Sequence, residues 1–173
     1  MKGVSFKIIS LMVAVVLCFT ACGSKPAEST EPAGTQMGVV NPMQQYTLED
    51  VWADTGLAVD TEGGLFVDAV VYKYNIEPCL YQIEFVYSDG NEYCFRIQSA
   101  EEMTDISGMY YQWTTVVEDV EEICTVSLTE EGQGICLWWD GEYTYCVSMD
   151  ENASENALVD MCELLKSSIK NAK

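Results

Sequence analysis

Leu80-Tyr81-Gln82-Ile83-Glu84-Phe85-Val86-Tyr87-Ser88-Asp89-Gly90-Asn91-Glu92-Tyr93-Cys94-Phe95-Arg96-Ile97-Gln98 is the stretch whose reading decides the fold. Tyr81, Ile83, Phe85 and Tyr87 alternate with polar Gln82 and Glu84, and Tyr93, Phe95 and Ile97 alternate in the same way. A period of two marks half-buried strands, and Ser88-Asp89-Gly90 between them is a turn signal. Two turn geometries compete. A two-residue Asp89-Gly90 loop sets Phe85 opposite Cys94 and mixes the faces. A three-residue loop with Gly90 left-handed sets Phe85 opposite Tyr93, Ile83 opposite Phe95 and Tyr81 opposite Ile97. Register follows the face that is buried, so the second is expected. It also sets Gln82 opposite Arg96, with Glu84 diagonal to it.

Outward from this hairpin the pattern continues. Residues 65–76, 110–118 and 123–129 read as strands. Residues 135–139 and 142–149 read as a hairpin around Asp140-Gly141. With two or three residues in that loop, Cys136 faces Tyr145 or Thr144. Near the C-terminus the period changes. Ala157, Leu158, Met161, Leu164, Leu165 and Ile169 recur at three- and four-residue intervals, so residues 154–169 are an expected amphipathic helix with Asn152 or Ser154 as cap. Thr47-Leu48-Glu49-Asp50 opens a short helix that Gly56 ends. The expected class is α+β: an antiparallel sheet of about six or seven strands, a short N-terminal helix, and a C-terminal helix packed on one face.

The N-terminus reads as an address. Lys2 and Lys7 precede an apolar run over residues 8–19 that ends in Phe19-Thr20-Ala21-Cys22. A basic start, a short apolar core and small residues before a cysteine make a lipobox-like signal. Residues 1–21 are the expected lipoprotein signal peptide. Cys22 is the expected lipid attachment site, anchoring the chain at the cell membrane and facing outside the cytoplasm. Residues 22–45, rich in Ser, Thr, Pro, Gly, Glu and Ala, read as a flexible tether, and 46–173 as one α+β domain.

Charge and composition exclude whole classes. The 173 residues carry 28 acids against 8 bases, a net charge of −20. Nucleic acid needs a basic footprint and is therefore no expected partner. Between Pro26 and Leu165 the only bases are Lys73 and Arg96. There is no histidine, which removes histidine-paired nucleophiles and the usual zinc ligand. No catalytic residue, cofactor or metal-ligand set stands out. Asp150, Asn152, Ser154 and Asn156 alternate like the start of a calcium loop, but Glu155 stands where that loop needs glycine and Met161 where it needs glutamate. Beyond Cys18 and Cys22 six cysteines remain: Cys79, Cys94, Cys124, Cys136, Cys146 and Cys162. Outside the cytoplasm an even number fits disulfides. Yet no CxxC occurs, and neither strand register above sets two cysteines opposite one another, so buried free thiols are the competing reading.

Aromatic residues crowd the strands. The adjacent pairs Tyr110-Tyr111 and Trp138-Trp139 must point to opposite faces of a strand. Tyr110, Tyr111, Trp113, Trp138 and Trp139 are therefore the candidate surface for a ligand or partner. The expected function is a membrane-tethered, non-enzymatic domain that binds a small amphipathic ligand or a partner protein. The alternatives are an acidic protein-interaction module, such as an inhibitor or regulatory subunit, and an acid- or cysteine-dependent hydrolase.

Asp105-Ile106-Ser107-Gly108-Met109-Tyr110 and Trp138-Trp139-Asp140-Gly141-Glu142-Tyr143-Thr144-Tyr145 add a resemblance. With the lipobox and tether ahead of them, they make residues 41–169 resemble a group of uncharacterised lipoproteins of Gram-positive anaerobes with DISGxY-like and WxDGxYxY-like motifs. The resemblance implies an extracytoplasmic domain and brings no catalytic residues. The Asp-Ile-Ser-Gly stretch is expected to be a turn, with Asp105 or Ser107 bonding the backbone and Gly108 at positive φ.

Overall fold

The computed structural model describes residues 42–60, 64–120 and 124–171. The expected signal peptide, Cys22 and the tether as far as residue 41 lie outside the described residues. In chain order the elements are β1 (Met43–Tyr46), α1 (Leu48–Thr55), β2 (Leu57–Val59), β3 (Val70–Tyr74), β4 (Leu80–Val86), β5 (Glu92–Ser99), β6 (Thr115–Val120), β7 (Cys124–Leu128), β8 (Gly134–Trp139), β9 (Tyr143–Met149), α2 (Glu155–Ser168) and β10 (Ile169–Asn171). Eight strands form one antiparallel sheet in the order β1-β3-β4-β5-β9-β8-β7-β6, and β2 pairs with β10 apart from it. The class is α+β. No helix among the described residues is long and apolar enough to cross a membrane.

The deciding hairpin has the three-residue register: Phe85 faces Tyr93, Ile83 faces Phe95, Tyr81 faces Ile97 and Gln82 faces Arg96. Gly90 turns at φ +83°. The eighth strand is β1. It starts at Met43, inside the stretch that composition assigned to the tether, and pairs through its backbone with β3. Its Met43, Gln44 and Gln45 are exposed, so no hydrophobic pattern announces it.

Three expectations change. Residues 65–69 are not strand; they turn ahead of β3, which spans only Val70–Tyr74. Residues 110–114 are not strand; they belong to a long connection from β5 to β6, which begins at Thr115. The β8–β9 turn is also displaced. Trp139 pairs with Thr144, so Cys136 faces Val147 rather than Tyr145 or Thr144. The cause is Asp140. Its Oδ1 accepts the amides of Glu142 and Tyr143 at 2.9 and 2.8 Å, and its Oδ2 accepts the Tyr145 hydroxyl at 2.8 Å. These bonds place Asp140 at the start of the turn instead of its centre.

Both helices contribute to the core on one sheet face. Leu158, Met161, Cys162 and Leu165 of α2 and Val51 of α1 join Tyr81, Ile83, Phe85, Phe95, Trp138, Tyr145 and Val147. Ser154 caps α2 by accepting the Ala157 amide, and Thr47 caps α1 by accepting the Asp50 amide. An aromatic row crosses the middle strands. Trp138 stacks on Tyr145 at 5.1 Å, and Phe95 stacks on both. Phe66 completes the row at φ +63°, a conformation that costs a bulky residue roughly 1–3 kcal/mol. Its ring is buried edge-on to Phe85 at 4.9 Å, and burial of such a ring is worth roughly 1.5–3 kcal/mol, enough to offset the strain.

The opposite face carries a second, smaller core of Ile106, Ile135, Leu137 and Cys146, with Leu80, Met109 and Trp113 packed against it. Ile106, Met109 and Trp113 come from the β5–β6 connection, which crosses this face and leaves part of it open.

Candidate functional site

The open part of that face is a groove of about 890 Å³. Alternation along β4, β5 and β9 supplies its floor: Gln82 and Glu84, Cys94 and Arg96, and Ser148 share one face through the pairs Gln82–Arg96, Glu84–Cys94 and Cys94–Ser148. The stretch from Ser107 to Tyr111 lines it from the crossing connection, and Glu92, Asp150 and Glu151 line it with acid.

Arg96 is the centre of the site. Its Nε donates to Gln82 Oε1 at 2.8 Å and its Nη1 to the Ile106 carbonyl at 3.2 Å. Gln82 is fixed in turn by donating from Nε2 to Glu84 Oε1 at 2.6 Å. Both acceptors of the guanidinium are neutral oxygens. The ion pair among the described residues is Lys73 with Asp54, at 2.7 Å, and Arg96 forms none. A half-buried cation held by neutral oxygens on an open groove keeps its charge available to an anionic group.

The Asp-Ile-Ser-Gly stretch explains how the connection reaches Arg96. Asp105 Oδ1 accepts the Ser107 amide at 2.8 Å, and Ser107 Oγ accepts the Met109 amide at 3.1 Å. Gly108 follows at φ +64°. These two local bonds bend the chain and turn the Ile106 carbonyl to the guanidinium. The other motif clamps the same connection. Thr144 Oγ1 accepts the Thr104 amide and donates to the Glu102 carbonyl, both at 3.3 Å, and Trp139 Nε1 donates to the Ala100 carbonyl at 3.1 Å. These two stretches are thus a connection and the hairpin that holds it.

The five aromatic candidates do not form one surface. Tyr110 is 98% exposed and stands on the groove beside Tyr111. Trp113 is half-buried on the second core, edge-on to Tyr111 at 6.0 Å. Trp138 is buried in the helix-covered core. Trp139 is exposed and lines a separate cavity of about 240 Å³ with Lys166 and Ile169. Strand alternation turns the two tryptophans to opposite faces as expected, which buries Trp138, although it too borders the cavity beside Trp139. Arg96 was missed as a candidate, although its isolation among acids and its register opposite Gln82 are both plain in the sequence.

Cys79, Cys94, Cys124, Cys136, Cys146 and Cys162 are all free thiols, the last four buried. Cys94 and Cys146 lie under the groove, and burial pushes both thiols above their ordinary range, strongly so for Cys146. They are therefore poor nucleophiles. Cys124, Cys136 and Cys162 come together beneath α2, with sulfurs within 4.8 Å of one another, and could hold a metal ion.

Comparison with protein-family models, with curated proteins and with solved structures finds no match to this chain.

Proposed function

We propose that this chain is a lipoprotein, tethered through a diacylglycerol on Cys22 to the outer face of a Gram-positive cell membrane. Its domain binds a small amphipathic ligand through a carboxylate and performs no catalysis. The observation that carries the reading is Arg96: a guanidinium at the floor of an open groove, oriented by Gln82 and the Ile106 carbonyl, with no carboxylate partner among the described residues. Arginine's planar fork suits a carboxylate in two-point contact. The acids around it, Glu84, Glu92, Asp150 and Glu151, favour a ligand that also carries a positive group and disfavour polyanions. Tyr110 and Tyr111 offer apolar ring surface with polar ends at the rim.

The test is native mass spectrometry of the chain extracted in mild detergent from its own host. A co-purifying carboxylate-bearing molecule, lost from R96Q at unchanged thermal stability, is the expected result. A ligand retained by folded R96Q sinks the assignment of the groove. A chain carrying no ligand turns attention to the acidic surface as a protein-interaction face, whose binding to a cationic partner would weaken with salt.

A further inference from the structure

A three-sulfur cluster lies on the other face of the sheet from the groove, and the fold itself assembles it. In the β7–β8 pair Val126 faces Cys136, so Cys124 lies two residues along, diagonal to Cys136 and on the same face. The buried side of α2 then lays Cys162 over both. The three sulfurs all lie within 4.8 Å of one another, and the three residues are 6%, 0% and 0% exposed. No carboxylate joins the group among the described residues, and the chain has no histidine.

We propose that Cys124, Cys136 and Cys162 form a three-thiolate site for a soft, thiophilic metal ion. Three arguments define it. The first is distance. Three sulfurs about 2.3 Å from a shared ion in a trigonal plane stand about 4 Å apart. Sulfurs no more than 4.8 Å apart reach that triangle by closing less than about 1 Å, within the play of a cysteine side chain.

The second argument is donor chemistry. An all-sulfur, water-poor site rejects calcium and magnesium, which take oxygen. Zinc prefers four ligands, and no fourth protein donor stands beside the three among the described residues. The site therefore suits a soft ion that accepts three thiolates.

The third argument is charge. Binding a divalent ion releases the thiol protons and leaves one net negative charge, since three thiolates contribute −3 and the ion +2. The Lys166 ammonium acts on both Cys124 and Cys162 and opposes that residual charge.

Bound metal would join α2 to β7 and β8. It would stabilise the folded state by mass action. This site is independent of the groove over Arg96 and stands whether or not that groove binds a ligand.

Cadmium is the probe. The full chain, reduced and handled under argon, is titrated with Cd(II) against a weak competing chelator. One tightly held ion is expected, with a thiolate-to-metal charge-transfer band, a ¹¹³Cd resonance of three-sulfur coordination and a raised melting temperature. C136A is expected to lose the band while keeping its circular dichroism spectrum. The variant C18A/C22A/C79A/C94A/C146A, which keeps only the three cluster thiols, is expected to retain band and resonance. Absence of a tightly held ion in the parent chain overturns the proposal. So does a two- or four-sulfur resonance, or a band that survives in C136A. If C136A does not fold, the five-fold variant decides: the same three-sulfur resonance supports the site and its absence overturns it.

Discussion

Gly108 makes room for Arg96: a Cβ built on Gly108 would collide with Arg96 Nη1, at a residue whose φ is +64°. The glycine therefore meets two demands at once, a left-handed turn and the close approach of a guanidinium. The G108A variant is expected to lose about 2 kcal/mol of stability, since the left-handed conformation alone costs a non-glycine residue about 1–2 kcal/mol. It is also expected to displace Arg96 from the Ile106 carbonyl. Chemical denaturation reads the first effect and loss of the co-purifying ligand the second. A G108A chain with parent stability and bound ligand would contradict both.

The two adjacent tryptophans separate cleanly. Trp138 is buried and stacked on Phe95 and Tyr145, whereas Trp139 is 42% exposed and holds the Ala100 carbonyl by one hydrogen bond. W138A should cost roughly 3–5 kcal/mol as a cavity in the core. W139A should cost less than about 1.5 kcal/mol, the worth of one hydrogen bond. Paired denaturation curves check this, and equal losses in the two variants would mean that the face assignment is wrong.

Asp54 is the acid-sensitive point. The Lys73 ammonium, and after it the Tyr46 and Tyr81 hydroxyls, hold its carboxyl below the ordinary carboxylate range. A carboxylate depressed in the folded state adds stability above its unfolded value near 3.9, and that stability is lost as pH falls through the lower folded value. The Asp54 side chain is 34% exposed, so screening limits the effect of D54N to about 1 kcal/mol at pH 7. The gap between parent and D54N should close below about pH 4. A gap that persists to pH 2 would assign it to packing.

The alkaline limit has a different cause. Burial, reinforced by hydrogen bonds to Asp54 and Asp89, pushes the phenols of Tyr81 and Tyr93 up to about 12. A raised phenol adds stability that is complete below the unfolded value near 10 and is lost as pH rises through the folded one. Unfolding is expected between about pH 10 and 12, with phenolate absorbance and loss of circular dichroism moving together. Y93F has no phenol to ionise there, so its transition should move to higher pH. An unmoved transition would clear Tyr93 of the role.

The central hairpin was legible because one face of Tyr81–Ile83–Phe85 had to meet one face of Tyr93–Phe95–Ile97, and a single turn length satisfied both. The α2 helix was legible for the same reason at a period near 3.6. What was hidden has specific causes. The β1 strand pairs by backbone and buries little, so Met43-Gln44-Gln45 looks like linker. The β8–β9 register depends on where Asp140 spends its two oxygens, which no hydrophobic pattern records. At the site, the turn chemistry of Asp105, Ser107 and Gly108 was readable, but its purpose was not, because Arg96 comes from a different strand. The cysteine cluster was half readable: the β7–β8 pairing places Cys124 and Cys136 on one face, but only α2 packing adds Cys162.

The sheet order has a consequence for the history of the chain. The strands β1, β3, β4 and β5 form one meander and β6, β7, β8 and β9 another, and the two meet only along β5 and β9. Each meander can close by shorter-range pairing, but the seam joins Cys94 with Ser148, 54 residues apart, and Ser99 with Tyr143. A chain emerging from its N-terminus therefore exposes the β5 edge, with Phe95 and Ile97 beside it, until residues 143–149 arrive. For that interval the seam is an open strand edge, the kind of surface that pairs with other chains. Folding of this protein should be limited by closure of the seam, and its window of vulnerability to aggregation should end there.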